Sequence, residues 1–170
     1  MSHVAYADCE EIRPGLIGQP MNALSSLAFV AAAVPIARAG REPGRGAWRA
    51  VAWSVAFEGL GSVAYHGPGG VWSKRLHDAG ILAMGASLAV AHLREPRRVP
   101  PARTLALATT AVVVHTLSRT GGPLCSCRSP LQGHALFHLL AATAVAGLPG
   151  GAPGAGPEGP APEQPVSAAS

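Results

Sequence analysis

Five apolar runs, at about residues 20–37, 47–66, 76–93, 104–117 and 131–148, follow one another with only short connections between them. Those connections carry charge or stop helices: residues 38–49 are rich in arginine, Gly67-Pro68-Gly69-Gly70 breaks any helix, and residues 119–130 form a loop holding Cys125 and Cys127. A chain divided in this way has few options beyond a bundle of helices. Hydrophobic residues make up 48% of it and charged residues only 13%, against about 25% in soluble domains. The expected fold class is therefore an all-α integral membrane bundle of about five transmembrane helices. The run at 104–117 is shorter than the about 17 residues a bilayer core requires, so it needs local thinning or extension beyond those bounds.

The organisation splits into three parts. Residues 1–19 hold Asp8-Cys9-Glu10-Glu11 and several glycine and proline breaks, and form a polar N-terminal cap; no cationic, apolar signal peptide is evident there. Residues 20–148 are the helical domain, and 149–170, a Pro/Gly/Ala-rich tail, are expected to be disordered. The formal charge of +4 raises the question of nucleic acid, but the arginines are scattered in short connections without a block of like charge, which excludes that partner.

Alternating helices bring specific ends to one membrane face: the start of the first and third, the end of the second, and the start of the fifth. Ser62 and His66, Asp78, and His134 and His138 all lie at those ends, together with the acidic N-terminal segment. The opposite face collects eight cations (Arg38, Arg41, Arg45, Arg49, Arg94, Arg97, Arg98 and Arg103) against five beside the histidines (Arg13, Lys74, Arg75, Arg119 and Arg128). By the positive-inside rule the N-terminus and the histidine face are extracytoplasmic and the C-terminus cytoplasmic. All three cysteines then fall on the oxidising side, where Cys9 can bridge to Cys127 or to Cys125; unpaired loop cysteines are the competing reading.

His134 and His138 stand one helical turn apart on one face, a spacing that grips a single metal ion, and His66 supplies a third imidazole. Three imidazoles and one open position are the usual donor set of catalytic zinc. The competing reading places these histidines at headgroup level as helix-end residues. Asp78 fits three roles beside such an ion, as ligand, ligand-orienting group or general base, and also fits an N-terminal helix cap. Ser62, one turn before His66, is a candidate oxyanion donor or a hydroxyl bonded back to its own helix. Glu58, a further turn in, is either a partner of the site or structural. His77 is expected at the rim, His92 and His115 at the interfaces, and Gly59, Gly61 and Gly80 at helix contacts.

These motifs resemble the alkaline ceramidases, members of a superfamily of membrane hydrolases that includes the adiponectin-receptor-like proteins. The resemblance rests on Cys9-Glu10-Glu11, Asn22-Ala23-Leu24-Ser25, Gly59-Leu60-Gly61-Ser62 with Tyr65-His66, Leu76-His77-Asp78, and His134 with His138, in family order. It implies an intramembrane zinc amidase that cleaves ceramide or a similar N-acyl lipid. His66, His134 and His138 match the zinc ligands, Asp78 the catalytic Asp and Ser62 the assisting Ser. It also implies a calcium site near the N-terminus, for which Glu10, Glu11 and Asn22 are the candidates, although Ile12 and Gln19 stand where further ligands are expected. The family usually has seven spans; a helix pair is missing here between the third and the last. A non-enzymatic metal-binding receptor or transporter, and a haem protein with histidines facing across helices, are the alternatives from other classes.

Overall fold

The computed structural model describes residues 3–95, 98–150 and 152–153. Five α-helices carry the fold: α1 (Pro20–Ala39), α2 (Ala47–His66), α3 (Val71–Arg94), α4 (Ala102–Leu117) and α5 (Gly133–Gly147). The bundle is all-α, as expected, apart from one small antiparallel pairing in which Arg98 and Val99 face Pro153 and Ala152. Two helices, α1 and α3, are long and apolar enough to cross a membrane; α4 is apolar but shorter.

The helices pack in the order α3, α2, α1, α5, α4, so the chain closes back on α1 and leaves α3 and α4 at the two ends of the row. The core lies where α1 meets α2, around Phe29, Ile36, Trp48, Val51 and Val55. Close approach on either side of α2 depends on glycine. A Cβ on Gly59 would sit 2.9 Å from a Val30 methyl carbon of α1, and one on Gly61 would sit 3.1 Å from the His77 backbone of α3. The small-residue reading of these positions holds.

Three boundaries differ from expectation. α3 begins at Val71, immediately after the glycine break, because nothing in residues 71–75 opposes a helix. Asp78 is therefore two turns inside α3, and its helix-cap alternative falls. Arg45, read as a topology charge, is buried: its guanidinium meets Glu42 at 3.0 Å and Glu95 at 3.2 Å and donates to the Pro149 carbonyl at 2.6 Å. That last bond needs an ordered acceptor, so the first residues expected in a disordered tail instead form a 3-10 turn, Leu148–Gly150. Apart from Ala152 and Pro153, the rest of that tail lies outside the described residues.

The N-terminal segment folds across the ends of α1, α2 and α5. The Glu10 carboxylate accepts the backbone N–H groups of Met21 at 2.9 Å and Asn22 at 2.8 Å, capping α1 from outside the helix. A disulfide between Cys9 and Cys125 ties the same segment to the loop before α5, with Cα atoms 5.6 Å apart. The candidate pairing of Cys9 with Cys127 is thereby corrected. The Glu11 N–H donates to the Cys127 carbonyl at 3.0 Å, which holds Cys127 beside residue 11 and leaves its thiol free, exposed and 3.9 Å from the Cys9 sulfur.

Candidate metal centre

His134 and His138 rise from the first turns of α5, and His66 closes the last turn of α2 just before Gly67 stops the helix. Their ring centroids lie 4.5 to 5.3 Å apart, and one nitrogen from each falls within 4.8 Å of the others. All three side chains are buried, at 0, 5 and 2% exposure for His66, His134 and His138. Chain alternation and the one-turn spacing, both legible in the sequence, thus bring the three expected imidazoles together.

What orients each ring comes from one stretch of chain. The His66 Nδ1–H donates to the Gln19 side-chain carbonyl at 2.7 Å, because the Gln19 amide nitrogen is itself spent on the carbonyls of Ala5 and Glu10. That fixes the tautomer and leaves His66 Nε2 bare, buried and without a hydrogen-bond partner. The His138 Nδ1–H donates to the Ser25 hydroxyl at 2.9 Å, since Ser25 passes its own proton to the Asn22 carbonyl. His134 Nδ1 faces the Asp8 carboxylate at 3.6 Å. Gln19, Ser25 and Asp8 therefore back the three rings, all from the N-terminal segment and the first turns of α1.

Three buried imidazoles, two of them held by hydrogen bonds on Nδ1 and one, His66, with a bare buried Nε2, fit a metal ion: neutral rings of fixed tautomer are the form that ligates. With their nitrogens within 4.8 Å of one another, the three rings would be able to share one ion.

The cluster lies at the polar end of a cavity of about 580 Å3 between α3 and α4, where Asp8, Tyr65, His77 and Arg119 converge; deeper down, Phe29, Met84 and Val145 make the wall apolar. The size suits a small amphiphile. Asp78 lines this cavity, but its side chain is half exposed and bonds Lys74 at 2.6 Å. His77, expected outside the site, turns inward instead: it stacks on Tyr65 at 4.8 Å and reaches buried Glu58 at 3.4 Å. Neighbouring helical residues point about 100° apart, so only one of the two can face the interior.

Ser62 is fully buried and its hydroxyl meets that of Ser26 at 2.9 Å, behind His138 and away from the cavity lining. Of the calcium candidates, Glu10 and Asn22 adjoin, the Glu10 carboxylate accepting the Asn22 backbone N–H at 2.8 Å, while Glu11 turns to the surface. Glu10 caps α1, the Asn22 amide donates to the Asp8 carbonyl at 3.2 Å, and exposed Glu11 pairs with Arg128 at 3.2 Å.

Two residues were missed by sequence reasoning. His115, at the end of α4, packs 5.3 Å from the His134 ring and 4.5 Å from Phe137. The alternation that grouped the other histidines also brings the end of α4 to this face, so a signal for it existed. Asp8, expected only as part of a polar cap, is 5% exposed, and burial raises its carboxyl from the ordinary value against the opposing pull of Arg119 and His115. No protein-family profile, curated protein or solved structure matches this chain, so the function of the centre has to be argued from its own residues.

Proposed function

We propose that the chain is a zinc-dependent integral membrane hydrolase that cleaves the amide bond of ceramide or a similar N-acyl lipid. The observation that carries this is the trio of buried histidines, with their outer nitrogens backed, at the polar end of a cavity that is apolar further in. An amphiphile enters such a slot with its tail beside Met84 and Val145 and its polar bond beside the histidines.

Many large apolar side chains stand exposed on α3 and α4, among them Leu82 at 74% and Val112 at 63%. Aqueous exposure of that much apolar surface is costly, whereas lipid covers it without penalty. All five helices are then read as membrane-embedded, the shorter ones by local thinning. The charge asymmetry of the connections supports an extracytoplasmic position for the histidines.

When bound, zinc supplies a Lewis acid and lowers the pKa of a coordinated water towards about 7. His66, His134 and His138 would hold the ion. Asp78, on the cavity wall and open to solvent, takes the proton from the attacking water, and Lys74 holds that carboxylate in place. Ser62 works through Ser26, steadying the helix contact that backs His138.

Detergent-purified protein is expected to contain about one zinc per chain and to release fatty acid from a panel of N-acyl lipids, read by mass spectrometry. His138→Ala should abolish both. Zinc binding without turnover of any amide would favour a metal-binding receptor or transporter, and an unchanged zinc content in His138→Ala would refute the site.

A further inference from the structure

We propose that Asp8 is the positioning residue of the metal centre, accepting the His134 Nδ1–H and fixing that imidazole for the ion. The inference rests on the metal reading above and adds to it a residue that the motifs do not contain. His66 and His138 already have hydrogen-bond acceptors on their outer nitrogens, Gln19 and Ser25. His134 does not: its Nδ1 is buried with no hydrogen-bond partner, and the group facing it is an almost fully buried carboxylate 3.6 Å away. A separation of 3.6 Å lies beyond a hydrogen bond, and a sub-ångström inward shift makes it one.

The carboxylate is held where it can make that shift. Cys9, the next residue, is bridged to Cys125 in the loop that leads into α5, and the Cys9 N–H donates to the Thr120 hydroxyl at 3.1 Å. The Asp8 carbonyl accepts the Asn22 amide from α1 at 3.2 Å. Asp8 is therefore pinned from both sides, between the helix that backs His138 and the loop that delivers His134. A carboxylate behind a metal-ligating histidine fixes the tautomer and raises ligand basicity, and losing such a partner typically costs about 10–100-fold in metal affinity. The motif carboxylate Asp78 is half exposed and committed to Lys74, so it cannot serve this ring.

The test compares zinc affinity, by competition with a chromophoric chelator, in the full chain, Asp8→Asn, Asp8→Ala and Asp78→Asn, with the visible spectrum of the Co2+-loaded forms as a second readout. Asp8→Asn preserves shape and removes the charge, so it is expected to fold, to bind zinc about tenfold more weakly and to shift the Co2+ bands; Asp8→Ala should lose about 10–100-fold. Asp78→Asn should leave zinc affinity unchanged, since that carboxylate is committed to Lys74 and not to His134. Wild-type affinity and an unshifted spectrum in both Asp8 variants would overturn the role of Asp8 while the metal centre stands. Wild-type protein that takes up no zinc would overturn both.

Discussion

At the scale of single residues, the centre is built from buried polar groups that orient one another, with His66 Nε2 and His134 Nδ1 left unpartnered. Gln19 makes the point: it is completely buried, its amide nitrogen ties the N-terminal segment through Ala5 and Glu10, and its carbonyl orients His66. Replacing it with alanine removes both functions at once. Gln19→Ala is expected to lower zinc affinity by about 10–100-fold and thermal stability by about 1–3 kcal/mol, measured by chelator competition and by unfolding in detergent. The residue scale is also where reading the chain alone was least complete. That His66, His134 and His138 meet was legible from spacing and alternation. That His77 rather than Asp78 turns inward was not, because adjacent residues of one helix compete for the interior and the outcome depends on how α3 is rotated against α2.

Between elements, the fold relies on glycine where α2 meets its neighbours, at Gly59, Gly61 and Gly80, and where α5 meets α4, at Gly147. Gly80 of α3 lies against α2 so closely that a Cβ would stand 2.4 Å from Glu58 Oε2 and 2.7 Å from Glu58 Cα. The carboxylate can swing away but the helix backbone cannot, so Gly80→Ala should force α2 and α3 apart and cost about 1–3 kcal/mol. Gly85, five residues on in the same helix, meets nothing within 4 Å. Gly85→Ala should therefore be neutral or stabilising by about 0.5–1 kcal/mol, since alanine suits a helix better. Thermal unfolding of the two variants side by side checks the pair; equal effects would mean that α3 does not pack on α2 in this way. The number of helices and the glycine breaks between them were readable in advance. The earlier start of α3 was not, because the apolar run begins later than the helix does.

For the whole molecule, the open order α3, α2, α1, α5, α4 explains why a cavity exists at all: the two end helices flank it, and His134 and His138 line its polar end. The proposed orientation puts the N-terminal segment, the disulfide and the α4–α5 loop outside the cytoplasm. Cys127 provides a built-in reporter of that, being exposed and free while Cys9 and Cys125 are bonded to each other. A membrane-impermeant maleimide is expected to label Cys127 in intact cells and to leave Cys127→Ser unlabelled. Labelling that appears only after permeabilisation would invert the topology.

The sequence by itself determined the all-α class, the five helical runs, the breaks between them and the histidine trio. Each of these follows from local chemistry: apolar length, helix-breaking residues and the turn-to-turn spacing of side chains. Tertiary structure alone decided which cysteine Cys9 takes, that His77 is drawn inward to Glu58 while Asp78 stays half exposed, and that Asp8, Gln19 and Ser25 stand behind the histidines. Those depend on how the N-terminal segment lies across the helix ends and on the rotation of each helix about its axis, which contacts distant in the chain fix and no local pattern encodes.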